Sequence, residues 1–189
     1  MNVYDFDKTI YHNDSTVDFY FWQLRRKPAL IRFLPKQLAG FLLYFTGNIN
    51  KTEMKNYFYS YLAAIKDIDA EVVKFWDGHM KNMSKWYGEK HKDDDLVISA
   101  SAYFLVNEAC RRLGITNVIC SEVDQYSGEV TGENCNGAQK VVRFLDAGYD
   151  PEEIEEFYSD SYGDTPMAQL AKASYIVKGE IIKDWGKGK

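Results

Sequence analysis

Cysteine is scarce in this chain: Cys110, Cys120 and Cys135 are all that its 189 residues contain. Three cysteines with no closely spaced pair do not make a disulfide framework or a zinc site, so they read as reduced thiols of a cytoplasmic protein. A long apolar run is also missing. The greasiest stretch, Pro28 to Phe45, is interrupted by Arg32, Pro35, Lys36 and Gln37, whereas a membrane-spanning helix wants about 20 predominantly apolar residues. Asp5 and Asp7 arrive where a secretory signal would place basic and then apolar residues, so a cytoplasmic location is expected. Nor is positive charge in excess. With 23 basic against 28 acidic residues the formal charge is -5, which disfavours a nucleic-acid partner and leaves any anionic ligand to local cations or a metal.

What is present suits one folded core with a modest insertion, since 46% of the residues are apolar and 27% charged. Asn2 to Phe6 reads as a short strand, and the polar cluster His12 to Thr16 as a turn and helix cap. From Ser15 to about His91 the periodicity is helical. Met54, Tyr57, Phe58, Tyr61, Leu62 and Ile65 form one stripe, and Val72, Val73, Trp76, Met80, Met83, Trp86 and Tyr87 another. Separators at Pro28, Gly47 to Asn50 and Asp67 to Asp69 predict about four helices in a small bundle. Beyond the charged run Lys90 to Asp95, strands are predicted at Leu96 to Ser99, Thr116 to Cys120, Ile154 to Ser159 and Tyr175 to Val177. Helices are predicted at Ala102 to Leu113, Ala138 to Ala147 and Pro166 to Ala173, with a turn or hairpin tip between Gly128 and Gly132 and a basic tail from Gly186. Alternating strand and helix is the parallel α/β signature. The fold class is therefore α/β: a parallel-sheet core formed by residues 1–14 and 92–189, with an inserted helical bundle at 15–91.

Four elements at successive strand ends carry chemistry. Asp5-Phe6-Asp7-Lys8-Thr9 closes the first strand, and the carboxyl ends of strands are where open α/β sheets bind ligands. Val97-Ile98-Ser99-Ala100-Ser101 ends the second with hydroxyls and backbone N–H groups that suit an oxyanion or cap the next helix. Lys140 lies in the first turn of a helix, an unfavourable place for a cation unless something anionic faces it. Asp160 and Asp164 follow a later strand, and hard carboxylate oxygens suit Mg²⁺.

In this order the four elements resemble the motifs of the haloacid dehalogenase superfamily, and the helical insertion together with the Asp-Ser-x-x-Asp form of the last motif resembles its phosphoserine-phosphatase-like branch. The resemblance implies a Rossmann-like core and a Mg²⁺-dependent phosphatase acting on a small phosphorylated substrate. It assigns Asp5 as the nucleophile and Asp7 as the acid and base. It places Thr9, Ser99, Ala100 and Lys140 on phosphate, and Mg²⁺ on Asp5, the Asp7 carbonyl, Asp160 and Asp164. An aspartyl phosphotransferase and a catalytically silent binding module are the rival outcomes.

Asp14 stands where phosphoserine phosphatases carry a glutamate for the substrate amine, and Asp14-Ser15 is equally a helix N-cap. Where those enzymes have Ser-Gly-Gly this chain has Ser99-Ala100-Ser101, which points away from phosphoserine itself. Trp22, Phe33, Leu34, Phe41, Leu42, Leu43, Tyr44 and Phe45 lie beside Arg25, Arg26, Lys27, Arg32 and Lys36. That mixture is either a buried bundle core with solvated basic edges or a peripheral face for the inner membrane surface. In the second case the insertion resembles that of phosphatidylglycerophosphate phosphatases.

Overall fold

The structure, a computed structural model, describes residues 1–186. Its strands are β1 Asn2–Tyr4, β2 Leu96–Ala102, β3 Asn117–Val123, β4 Val130–Thr131, β5 Glu156–Ser159, β6 Ala173–Lys178 and β7 Ile181–Asp184. They form one sheet in the order β4-β3-β2-β1-β5-β6-β7. The inner five are parallel, and β4 and β7 add antiparallel edges. The expected Rossmann-like parallel core is present.

Successive residues of a strand face opposite sides of a sheet, and the buried residues sort accordingly. Val3, Leu96, Ile98 and Phe157 share one face with Phe144 and Met167, while Tyr4, Val97, Tyr158 and Val177 share the other. On that second face the register aligns Tyr4 with Tyr158 and Tyr158 with Tyr175. The three rings stack at 5.0 Å and 5.0 Å, a ladder in which each pair adds about 0.5–1.5 kcal/mol beyond its buried area.

The helices are α1 Ser15–Arg26, α2 Leu34–Phe45, α3 Lys51–Tyr59, α4 Ile68–His79, α5 Lys85–Lys90, α6 Tyr103–Arg112, α7 Ala138–Asp146 and α8 Thr165–Ala168. Three of the first four start on side-chain caps where the sequence has separators: Asp14 caps α1, an Asn50–Glu53 capping box opens α3 and Asp67 caps α4. α5 closes the tyrosine ladder, with Trp86 5.3 Å from Tyr158 and Tyr87 edge-on 5.1 Å from Tyr4. α4 packs against α6, and Trp76 Nε1 donates to the Leu105 carbonyl at 2.8 Å. Three cysteines are free and buried.

Four expectations need correction. The stripe from Val72 to Tyr87 is not one helix, because the chain leaves it at Met83 and Ser84 to bond the turn after β1. Ser84 N–H donates to the Ile10 carbonyl at 2.8 Å and Ser84 Oγ to the Thr9 carbonyl at 2.7 Å. The helix expected at Pro166 to Ala173 stops at Ala168, since Ala173 already pairs with Glu156 in β6. The last strand is not followed directly by a tail: the chain turns at Gly179 into β7. The helix after β2 has no side-chain cap, and Ser99 and Ser101 belong to the strand itself. The basic tail beyond Gly186 lies outside the described residues.

Candidate active site

Asp5 sits just past β1, the central strand. Its N–H donates to the Tyr158 carbonyl at 2.8 Å, so pairing with β5 fixes the backbone that presents the carboxylate. The strand order runs outward in opposite directions from β1 and β5, the kind of switch point at which α/β sheets open a ligand crevice. A cleft of about 430 Å³ lies there, walled by the strand ends on one side and by α2 and α3 on the other.

Lys140, fully buried, bridges two acids from one ammonium: Nζ donates to Asp5 Oδ1 at 2.6 Å and to Asp164 Oδ2 at 2.7 Å. Ser159 Oγ also donates to Asp164 Oδ2, at 2.8 Å. Burial works against the ammonium, yet the charges of Asp5 and Asp164 outweigh it and hold its pKa above the usual lysine range. Burial pushes the Asp5 carboxyl up to about 7, with Lys140 pulling down and Asp164 and Asp7 pushing up. Lys140 is thus charged throughout the neutral range, and losing the Asp5 proton completes the pair. This answers why a cation occupies the first turn of α7.

Asp7 has a different environment. Its Oδ1 accepts from the Ser15 N–H at 2.7 Å, and its Oδ2 accepts from Ser101 Oγ. The Thr16 hydroxyl lies 3.1 Å from Ser101 Oγ and 3.1 Å from the Tyr59 hydroxyl, so a chain of hydroxyls runs from Asp7 to α3. Burial raises the Asp7 carboxyl to about 6, the charge of Asp14 adds to that, and the Ser101 and Ser15 hydrogen bonds oppose it. Asp14 does both things its position allows: Oδ1 caps α1 through the Val17 N–H at 3.0 Å, and the residue lines the cleft.

Ser99 and Ala100 line the cleft too. Ser99 Oγ accepts from the Ser101 N–H at 3.1 Å, and the Ala100 carbonyl accepts from Lys55 Nζ at 2.6 Å. Asp160 is half-buried at the cleft edge, its carboxyl raised by burial against the pull of Lys178 and Lys8. Thr9 is the site residue that the structure does not bring to the cleft. It is fully buried, its Oγ1 has no partner among the described residues, and its carbonyl holds Ser84. Thr9 shapes the turn instead of facing a ligand.

Two cleft residues escaped the sequence reading. Ser101, which reads with Ser99 as a candidate cap of the next helix, instead turns its hydroxyl to Asp7. Lys55 reaches from α3 to the Ala100 carbonyl and to Asn134 Oδ1. Burial, then the like charge of Lys51, lowers it to about 8. Its signal is a lysine next to Met54 within the segment that carries the Met54, Tyr57 and Phe58 stripe.

Among the described residues no three His, Cys, Asp or Glu side chains converge as a preformed metal cage. Mg²⁺ does not require one, since it keeps several waters and takes one or two carboxylates plus substrate phosphate. Asp5 and Asp160 line one cleft, and burial raises both. Burial disfavours the charge on each, a cost that a divalent cation beside them would offset. The donors fit the ion. Asp164, already engaged by Lys140 and Ser159, stands behind them.

Comparison with known proteins bears on the family and the fold. The family model of haloacid dehalogenase-like hydrolases matches residues 3–169. The chain belongs to that family. Protein CicA of Caulobacter vibrioides is 24% identical to this hydrolase over 94% of the chain and 86% of its own length. A structure of a protein of unknown function from Bordetella pertussis superposes with a TM-score of 0.75 at 18% identity, over 92% of this chain and 87% of that one. A phosphoserine phosphohydrolase-like protein from Francisella tularensis gives 0.56 at 17%, over 92% and 86%. The hydrolase thus shares the fold of phosphoserine-phosphatase-like members of its family.

Proposed function

We propose that this hydrolase is a Mg²⁺-dependent phosphomonoester phosphatase that works through a phosphoryl-aspartate on Asp5. The observation that carries the reading is the contrast between two buried carboxylates at one strand end: Asp5 faces an ammonium, and Asp7 faces hydroxyls and a backbone N–H. Lys140 pulls the Asp5 carboxyl toward its anion against the effect of burial and orients it to attack. Raised to about 6, Asp7 can give and take a proton near neutrality.

In the first step an Asp5 oxygen bonds to phosphorus and the ester P–O bond breaks, while Asp7 protonates the departing alkoxide. In the second step Asp7 takes a proton from water, the oxygen attacks phosphorus, and the Asp5–phosphorus bond breaks to free inorganic phosphate. Ser99, the backbone at Ala100 and Lys140 would hold phosphoryl oxygens in this reading. Asp5, Asp160 and the Asp7 carbonyl would hold Mg²⁺, which when bound neutralises the phosphoryl charge. Water rather than another acceptor is favoured because Asp7 is within the same cleft and poised to activate it. The cleft volume suits a small phosphorylated metabolite. Residues 15–91 are the cap in this reading, and α2 and α3 are the part that roofs the cleft.

Turnover of para-nitrophenyl phosphate with and without Mg²⁺ tests the scheme. Asp5→Asn is expected to lose turnover by a factor on the order of 10⁴ or more while keeping its circular dichroism. An Asp5→Asn protein that hydrolyses the ester at the wild-type rate would falsify the nucleophile assignment.

A further inference from the structure

α2 is built inside out. Its fully buried residues are Gln37 and Gly40, with Phe41 half-buried against Phe58: Gln37 is 2% exposed, accepts from the Tyr20 hydroxyl at 2.7 Å and donates to the Phe58 carbonyl at 2.9 Å. Gly40 meets α3 so closely that a Cβ there would lie 2.3 Å from Tyr57 Cβ. Outward, Leu38 is 57% exposed, Leu42 65% and Phe45 80%, with Leu34 exposed on the same stripe. These positions recur at four, four and three residues, which is one helix face. Ile31, in the turn before α2, and Phe21, on α1, are exposed as well. Helices of water-facing domains place the apolar stripe inward, and a contiguous outward one marks an interaction surface.

Charge decides the partner. Between Asp18 and Glu53 there is no acidic residue, whereas Arg25, Arg26, Lys27, Arg32, Lys36 and Lys51 are basic, in a chain whose net charge is -5. Arg25, Arg32 and Lys36 are exposed, and Arg32 and Lys36 flank Leu34 at the start of the stripe. Apolar side chains bordered by cations fit an anionic bilayer surface, where the apolar groups enter the headgroup boundary and the cations meet lipid phosphates. A second copy fits less well, because a two-fold contact sets the same basic residues against each other. Among the described residues no helix is long and apolar enough to cross a membrane, so the contact lies on the surface. From the outward face of α2 and its basic border we infer a docking surface for anionic membranes.

Co-sedimentation with vesicles of phosphatidylcholine, alone or with added phosphatidylglycerol, tests this. The full chain is expected to bind only the anionic vesicles and to leave them as salt rises. Replacing Leu38, Leu42 and Phe45 together by Gln is expected to abolish binding, with hydrolysis of the aryl phosphate unchanged. Replacing Arg25, Arg32 and Lys36 together by Gln is expected to weaken partitioning on the order of a hundredfold or more. Absent or salt-insensitive binding of the wild-type chain overturns the inference whether or not the variants fold. So does a dimer in sedimentation velocity that the Leu and Phe changes dissolve without altering vesicle binding.

Discussion

The cleft has two lysines, and they are held in opposite ways. Lys140, on the floor formed by the sheet, lies between Asp5 and Asp164 and is raised by their charges. Lys55, on the roof formed by α3, is tied to a carbonyl and an amide oxygen and lowered to about 8. The floor is assembled by cancelling charge, so each member depends on the others. The roof is assembled by neutral hydrogen bonds and leaves its cation available to a ligand. A buried charge is stable only when its partners remain, while a charge on neutral acceptors is cheaper to replace.

Lys140→Met breaks the floor most severely. It leaves Asp5 and Asp164 buried without a counter-charge, and a loss of about 3–5 kcal/mol is expected in urea unfolding without Mg²⁺, together with loss of turnover. Lys55→Met should cost no more than about 1–2 kcal/mol and act mainly on KM. Equal stability losses in the two variants would erase the distinction between floor and roof.

Gly128 probes what holds the roof down. The turn between β3 and β4 packs on α3, with the Val130 N–H donating to Asn56 Oδ1 at 2.7 Å. Gly128 has φ +81, and a Cβ there would sit 2.2 Å from the Tyr59 carbonyl oxygen. Gly128→Ala is expected to destabilise the protein by about 1–3 kcal/mol in thermal unfolding. A neutral result would show that the turn does not support the roof.

The smallest expected effect is a pH shift. If Asp7 gives its proton to the leaving group, kcat/KM falls as pH rises through its pKa, about 6. The Asp14 anion disfavours the Asp7 anion and so raises that pKa. Asp14→Asn keeps the helix cap, removes the charge, and should move the break to lower pH in a pH–rate profile. A break that stays in place would uncouple Asp14 from the acid.

The floor was legible in the sequence because it is written in contiguous motifs. Asp5 and Asp7 follow a strand, Ser99 ends the next, and the cation at Lys140 is improbable without an anion facing it. The roof was not, because its parts meet only through tertiary contacts. Lys55 finds Asn134 and Ala100 from distant segments, and α2 reverses the rule by which an apolar stripe is assigned to a core. Of the aromatic and aliphatic residues read as either bundle core or membrane face, Trp22, Phe33, Phe41, Leu43 and Tyr44 are half-buried, while Leu34, Leu42 and Phe45 are exposed. Element ends were misjudged where the chain serves another partner: Met83 and Ser84 abandon helical bonds for the turn holding Thr9, and Ala173 is claimed by β5.

The pairing of β1 also has a consequence during synthesis. Val3 lies opposite Leu96 on one side and Phe157 on the other, and Asp5 is fixed by the Tyr158 carbonyl. Asp5 is therefore seated only after Tyr158 has been made about 150 residues later, roughly 8–30 s at ~5–20 residues per second. Through that interval the Asp5 carboxylate lacks the strand that seats it, so the crevice at the switch point is completed only after most of the chain has been made.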